Sequence, residues 1–189
     1  MNSLVNRLKV LNNFGINENE ELTPIERINR IKEFRSNMNY ENYQSIFVET
    51  VNFLNNAESS LEDKNLIVLN IINLIRNFPA LEDNINYFPL EIQILYSSYM
   101  ELKRIKQHFE LCANSISNYN DIESIINDYL DYLNNENYKY LISNCPSLIE
   151  NFNKTIFDYL EKKNESGIKH KEFISVNLIN QLNEQSMRL

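Results

Sequence analysis

The chain has 189 residues, a formal net charge of -8 and 43% hydrophobic residues. This length suits one globular domain with a sizeable core. The acidic balance disfavours a protein built mainly to coat nucleic acid or an anionic membrane. The first residues lack the continuous apolar region of a secretory signal, so we expect reduced thiols at Cys112 and Cys145 and a cytoplasmic location, with the nucleus as the alternative.

The turn residues needed for β-hairpins are nearly missing, because the chain has only 2 glycines and 4 prolines. Helix signals are frequent. We therefore predict an all-α protein, an irregular helical bundle or orthogonal helical array of about 7 to 9 helices, with a short HEAT-like helical repeat as the minor alternative. Residues 1–163 are predicted to form a single helical domain, and residues 164–189 a C-terminal amphipathic helix or arm after Gly167.

The first two helices have clear ends in the sequence. Gly15 is predicted to cap a helix that covers residues 3–13. Thr23, Pro24 and Glu26 predict the start of the second helix, because a threonine cap, a proline at the first helical position and a glutamate three residues after the cap form a capping box. From there, apolar residues recur at helical spacing on one stripe: Ile25, Ile28, Ile31, Phe34 and Met38.

The middle of the chain predicts a central helix and a long helix. A capping sequence at Ser59 to Glu62 precedes residues 66–78, which are apolar on nearly all sides. Pro79 is predicted to end this helix, and a connector continues to Phe88. A long helix is then predicted from Pro89 to about residue 117.

Three further helices are predicted after residue 117. Asn120 is the predicted cap of one that carries Ile122 to Leu133. A short helical segment follows around residues 138–142, and Pro146 is predicted to open another helix, which ends at residues 162–163. After Gly167, Phe173, Val176, Ile179 and Leu182 indicate a last amphipathic stretch.

Two segments resemble each other. Residues 39–56 and 118–135 match at 7 of 18 positions, and three of the seven are asparagine. A regular repeat would require a third copy near residue 79, where the sequence instead contains two prolines. We interpret the likeness as two helices that solve the same packing problem, with a true repeat as the alternative.

Few residues are suited to catalysis or metal binding. Cys145 precedes a predicted helix start, where the helix dipole could activate a thiolate, but neither His108 nor His170 lies in a nucleophile motif. His108 and Cys112 share one helix face, without the paired spacing of a zinc site. No phosphate-binding glycine loop is present. We predict that the protein is not an enzyme, and predict no cofactor, no metal and no small-molecule substrate.

Two groups of residues are candidates for binding. Aromatic and apolar side chains predicted to bind a protein partner are Tyr129, Tyr132, Tyr138, Tyr140, Phe173 and Ile179. Basic side chains predicted to contact phosphate groups are Arg27, Arg30, Arg35, Lys103, Arg104 and Lys106.

The predicted function is a non-enzymatic protein-interaction module, such as an adaptor, complex subunit or regulator, that binds protein partners through helix faces. The alternative is a ribosome- or RNA-associated factor that uses the basic clusters and the C-terminal segment. No interaction with a membrane is predicted, because the most apolar run, residues 66–75, is about half of the roughly 20 residues that a bilayer requires.

Overall fold

The computed structural model describes residues 3–114 and 119–165, together with Asn180 and Glu184. These residues form nine α-helices, two short 3-10 turns and no strand, which confirms the predicted all-α fold. The helices are α1 Ser3–Asn12, α2 Pro24–Asn37, α3 Tyr40–Asn55, α4 Leu61–Asn77, α5 Pro79–Glu82, α6 Leu90–Ala113, α7 Tyr119–Asn134, α8 Lys139–Asn144 and α9 Pro146–Glu165. The 3-10 turns are Ile85–Tyr87 and Glu136–Tyr138.

The chain divides into two compact units, residues 1–96 and 97–189, and the division falls within α6. The single domain over residues 1–163 stays a prediction. The predicted C-terminal arm lies almost wholly outside the described residues.

Unit 1 is built around α4. As its apolar sequence predicts, α4 buries six side chains, and its N-cap is Ser60 rather than Ser59. Helix α1 packs against it through Leu4, Val5 and Leu8. The Asn12 amide donates to the Asn70 carbonyl at 2.9 Å, which ties the end of α1 to the middle of α4. Apolar burial and this long-range hydrogen bond together fix α1 on α4.

The turn after α1 differs from the prediction. The Gly15 N–H donates to the Val10 carbonyl at 2.8 Å and the Phe14 N–H donates to the Leu11 carbonyl at 3.1 Å, which is the Schellman pattern of helix termination. The left-handed position that ends the helix is therefore occupied by Phe14, with φ 57°, and Gly15 follows with φ 72°. A left-handed phenylalanine is unfavourable, and packing of its ring against Phe34 and Phe78 offsets the cost.

The start of α2 is as predicted. The Thr23 N–H donates to Glu26 Oε2 at 2.8 Å and the Glu26 N–H donates to Thr23 Oγ1 at 3.3 Å, so both halves of the capping box are present. The Thr23 hydroxyl also donates to Glu26 Oε2, at 2.6 Å. This bond and the one from the Thr23 N–H lower the pKa of Glu26, because both favour its charged form.

The apolar stripe predicted for α2 is covered only towards its C-terminal end, where Met38 is buried and Phe34 packs against Phe78. All 14 residues of α2 are described and none is buried. Ile25 and Ile28 are 72% and 53% exposed, and Phe34 is half-buried. Helical spacing identifies residues on one face of a helix, and only tertiary packing decides whether that face is covered.

Unit 2 has a core formed by α6, α7 and α9. Its members are Leu102, Ile105, Phe109, Ile122, Ile125, Ile126, Tyr129, Leu130, Tyr132, Leu133, Ile149, Phe152, Ile156 and Leu160. Aromatic rings meet edge to face within it, with centroids 5.7 Å apart for Phe109 and Phe152 and 4.6 Å apart for Tyr129 and Phe152. Such pairs stabilise a core beyond the area that they bury.

Two helix boundaries differ from the predictions. Pro79 ends α4 but also opens α5, so the predicted connector to Phe88 is partly helical. Proline suits the first position of a helix because that position needs no N–H donor. Asn120 lies within the first turn of α7 instead of at its cap. Residues 115–117, the predicted end of the long helix, lie outside the described residues.

The two similar segments form matching helices. Helices α3 and α7 each have 16 residues, begin at Tyr40 and Tyr119, and bury residues at corresponding positions, such as Ile46 and Ile125. The elements after them differ, since α3 is followed by the 17-residue α4 and α7 by a 3-10 turn and the 6-residue α8. The two helices bury side chains at the same positions, and this explains why their sequences are similar. A regular array of repeats in the described part of the chain is not needed to explain the similarity.

Candidate functional site

Helix α2 presents an uncovered face. Ile25, Ile28, Lys32 and Arg35 follow one another at intervals of three and four residues, so they lie along one side of the helix. All four side chains are exposed. We name these four residues the α2 surface. Its first half is apolar and its second half is positively charged.

Few carboxylates neutralise α2. Arg30 pairs with Glu20 at 3.3 Å, and the Arg35 guanidinium lies over the Phe14 ring at 5.2 Å from its centroid. Among the described residues, neither Arg27 nor Lys32 has a carboxylate within 4.0 Å. The predicted basic cluster is therefore exposed and only partly paired.

An apolar groove lies between α1 and α3 in the same unit. It has a volume of about 360 Å³. Its lining includes Val10, Leu11, Tyr43 and Ile46. Tyr43 also packs against Phe34 of α2, with ring centroids 6.3 Å apart, so the groove adjoins the C-terminal half of α2.

Unit 2 contains a basic cleft between α6 and α9, which we name the α6–α9 cleft. Its volume is about 440 Å³. One face of each helix lines it: Tyr99, Leu102, Lys103 and Lys106 from α6, and Leu148, Asn151, Phe152, Lys154, Thr155 and Asp158 from α9. Two of the predicted phosphate-contacting lysines, Lys103 and Lys106, thus line the same cleft as Lys154, which the sequence did not single out.

Arg104 does not line this cleft. It forms an ion pair with Glu101 at 2.7 Å, and a second hydrogen bond joins the same two side chains at 3.0 Å. The pair lowers the pKa of Glu101 and raises the pKa of Arg104, because each side chain favours the charged form of the other. The predicted basic cluster on α6 is therefore divided between an ion pair and a cleft.

Two of the predicted partner-binding tyrosines belong to the core. Tyr129 is 0% exposed and donates from its hydroxyl to Asn153 Oδ1 at 2.8 Å. Tyr132 is buried and donates to the Ser98 carbonyl at 3.1 Å. Burial raises the pKa of both hydroxyls above the ordinary tyrosine value. In this structure both side chains stabilise unit 2 and present almost no surface to a partner.

The other four predicted partner-binding residues are either half-buried or outside the described part of the chain. Tyr138 is half-buried and stacks on Tyr132, with ring centroids 4.3 Å apart, and Tyr140 is also half-buried. Phe173 and Ile179 lie outside the described residues. Binding of a partner through these four residues stays a prediction.

The thiol that could act as a nucleophile is buried. Cys145 is 0% exposed at the junction of α8 and α9, and burial raises its pKa, whereas a reactive cysteine needs an accessible thiolate. His108 is exposed and Cys112 half-buried, while His170 lies outside the described residues. In the described ranges, no group of three histidine, cysteine or acidic side chains could hold a metal ion.

Two features of these surfaces were not predicted. The sequence could not reveal that Ile25 and Ile28 are exposed, because the apolar residues of a covered and of an uncovered helix face have the same spacing in the sequence. The sequence also did not predict that Lys154 lines the same cleft as Lys103, since the two residues are far apart in the chain. A recurrence of polar residues at Asn151, Lys154 and Asp158 on one face of α9 was the only available signal.

No helix in residues 3–114 and 119–165 is both long enough and apolar enough to cross a bilayer. No protein-family model matches the chain, and searches of curated proteins and of solved structures found no significant match. Function is therefore inferred from the side chains described above.

Proposed function

We propose that this protein is a non-enzymatic protein-interaction module whose contact region is the α2 surface. The observation that carries the proposal is the exposure of Ile25 and Ile28, 72% and 53%, on a helix of 14 residues that buries no side chain. A helix of this length is marginal in water by itself, and most helices gain their stability by packing an apolar face. A partner that covers this face would supply the missing packing.

The partner that fits is an acidic amphipathic helix of another protein. Its apolar residues would cover Ile25 and Ile28, and its carboxylates would lie near Lys32 and Arg35. Charge complementarity supports this choice, because α2 carries four basic and two acidic side chains in a chain whose net charge is -8. The adjoining groove between α1 and α3 would extend the contact.

The two exposed isoleucines are expected to contribute a large part of the binding free energy. Full burial of an isoleucine side chain contributes about 1.5 to 3 kcal/mol. Scaled by the exposed fractions of 72% and 53%, Ile25 and Ile28 together would contribute about 2 to 4 kcal/mol. Since about 1.4 kcal/mol corresponds to a tenfold change in Kd, complete loss of this contribution would weaken binding by roughly 30- to 700-fold.

The test compares two variants in the isolation of partners from the source cells. Ile25→Ala/Ile28→Ala removes the apolar half of the α2 surface. Val48→Ala is the matched control, because Val48 is also an exposed aliphatic residue of unit 1, at 44%, on another helix. We expect the native protein and the control to retain the same partner and the double variant to lose it, with Kd then measured for the purified partner.

Thermal melting distinguishes lost binding from lost folding. Exposed isoleucines contribute little to folding, so the double variant should melt within a few degrees of the native protein. Lys32→Glu should weaken binding further at low salt and less at high salt, because exposed charges are screened. Unchanged binding of a purified partner by the double variant would contradict the proposal.

The alternative of an RNA- or ribosome-associated factor rests on the same arginines. Non-specific binding of single-stranded RNA uses exposed aromatic rings in a basic groove. Among the described residues, Tyr87 is the aromatic side chain with high exposure, and it belongs to a 3-10 turn and not to α2. A steep loss of RNA binding with added salt, abolished by Arg27→Glu, would favour this alternative.

A further inference from the structure

The α6–α9 cleft has the composition of an anion-binding site. We propose that it binds a small organic phosphate, about the size of a nucleotide, through Lys103, Lys106 and Lys154. This inference goes beyond the proposed function, because it concerns unit 2 and a ligand that the sequence did not predict.

The cations of the cleft are largely unpaired. In the described part of the chain, neither Lys103 nor Lys154 has a carboxylate within 4.0 Å, and Lys106 has Glu110 at the 4.0 Å limit. Three lysines from two helices line one volume, while the whole chain carries a net charge of -8. Like charges held together repel each other, and an anionic ligand relieves that repulsion.

The number of ammonium groups favours phosphate over carboxylate. A terminal phosphate presents three oxygens that can each accept a hydrogen bond, and a carboxylate presents two. Lysine binds phosphate as a point charge on a flexible stem, so exact alignment is unnecessary. The Asn151 side chain, which has no hydrogen-bond partner among the described residues, adds a neutral donor on the α9 side.

The size and floor of the cleft indicate that the ligand also has an apolar part. Small-molecule sites have volumes of about 300 to 1,000 Å³, and this cleft has about 440 Å³. Leu102 and Phe152 are buried and form part of its apolar lining, with Leu148 half-buried beside them. A free phosphate ion would leave these side chains uncovered, whereas an organic phosphate would contact them.

One carboxylate makes the two ends of the cleft chemically different and would orient the ligand. Asp158 lies one helical turn beyond Lys154 on α9 and lines the same volume. It would repel a phosphate placed near it and accept a hydrogen bond from an amine or hydroxyl of the ligand. The phosphate end of the ligand is therefore expected near Lys103 and Lys106, and its polar organic end near Asp158.

The test is isothermal titration calorimetry on the full chain at low salt. The ligands are ADP, pyrophosphate and adenosine. We expect ADP and pyrophosphate to bind with Kd below about 1 mM and adenosine to give no heat of binding, because attraction by the ammonium groups dominates. Lys103→Ala and Lys154→Ala should each weaken ADP binding about tenfold, the change expected when one charged hydrogen bond is lost.

Matched control variants distinguish ADP binding in the α6–α9 cleft from general electrostatic attraction of ADP to the protein. Lys162→Ala removes an exposed lysine of α9 that does not line the cleft, and it should leave ADP binding unchanged. Asp158→Asn should tighten ADP binding about threefold by removing a repulsion. Glu150→Gln removes an exposed carboxylate outside the cleft and should not tighten ADP binding. Circular dichroism confirms that each variant is folded.

Three outcomes would overturn the proposal. One is the absence of binding by both ADP and pyrophosphate. Another is that Lys162→Ala and Lys103→Ala weaken ADP binding equally, which would mean that ADP is attracted by the whole surface and not by the cleft. The third is binding of an oligouridine RNA or a polyglutamate peptide without binding of ADP. Loss of partner binding by Ile25→Ala/Ile28→Ala is independent of all three.

Discussion

The hydrogen bond between Tyr129 and Asn153 should be a measurable part of the stability of unit 2. The two side chains are 0% and 5% exposed, and their oxygens are 2.8 Å apart. Tyr129→Phe removes the hydroxyl and keeps the ring that packs on Phe152 at 4.6 Å between centroids. A buried acceptor that loses its donor costs about 1 to 3 kcal/mol, because water cannot easily replace the bond.

We therefore expect Tyr129→Phe to lower the free energy of unfolding by about 1 to 2 kcal/mol, measured by urea denaturation with circular dichroism. The control is Tyr87→Phe, since Tyr87 is 72% exposed and should change the free energy by less than about 0.5 kcal/mol. Equal stability of the Tyr129 variant and the native protein would refute the reasoning. So would additive effects of Tyr129→Phe and Asn153→Ala, because paired residues must show a coupling energy.

Three other predictions follow from the described contacts. Burial raises the pKa of Tyr132 above the unfolded value near 10, so its contribution to stability is full below about pH 10 and is lost as the pH rises further. Tyr132→Phe should therefore make the free energy of unfolding fall less steeply with pH above about pH 10, measured by urea denaturation at several pH values, and an unchanged slope would contradict this. Gly15→Ala should cost about 2 kcal/mol in urea denaturation, because φ is 72° and the new Cβ would lie 2.9 Å from the Phe34 ring; an unchanged midpoint would contradict this. Thr23→Ala should destabilise α2 by about 1 kcal/mol and speed amide hydrogen exchange in its first turn, and it should also raise the pKa of Glu26, which NMR titration can measure. Exchange as slow as in the native protein would mean that the cap contributes nothing.

Local features of the sequence predicted the helices well where the responsible atoms are neighbours in the chain. The capping box of Thr23 and Glu26 formed as expected, because three residues separate its two partners. The apolar residues of α4 likewise predicted a buried central helix, since a segment that is apolar on nearly all sides has no polar face to expose. Phe14 shows the limit of such reasoning: a left-handed phenylalanine is tolerated only because Phe34 and Phe78 lie beside it.

The candidate sites were predicted only in part, because binding depends on what remains exposed after folding. Tyr129 and Tyr132 have the spacing of a surface motif and of a core seam alike, and the structure places them in the core. Lys103 and Lys106 were predicted as phosphate contacts from one helix, but the cleft that gives them a common volume requires α9.

The sequence by itself determined the all-α fold, the positions of most helix starts and the acidic character of the chain, because propensity, capping and charge are local properties. Only the tertiary structure decided that Ile25 and Ile28 of α2 stay uncovered, that two tyrosines are buried, and that lysines from α6 and α9 line one cleft. These outcomes depend on contacts between residues far apart in the chain, and no local pattern encodes which of several apolar faces will find a neighbour.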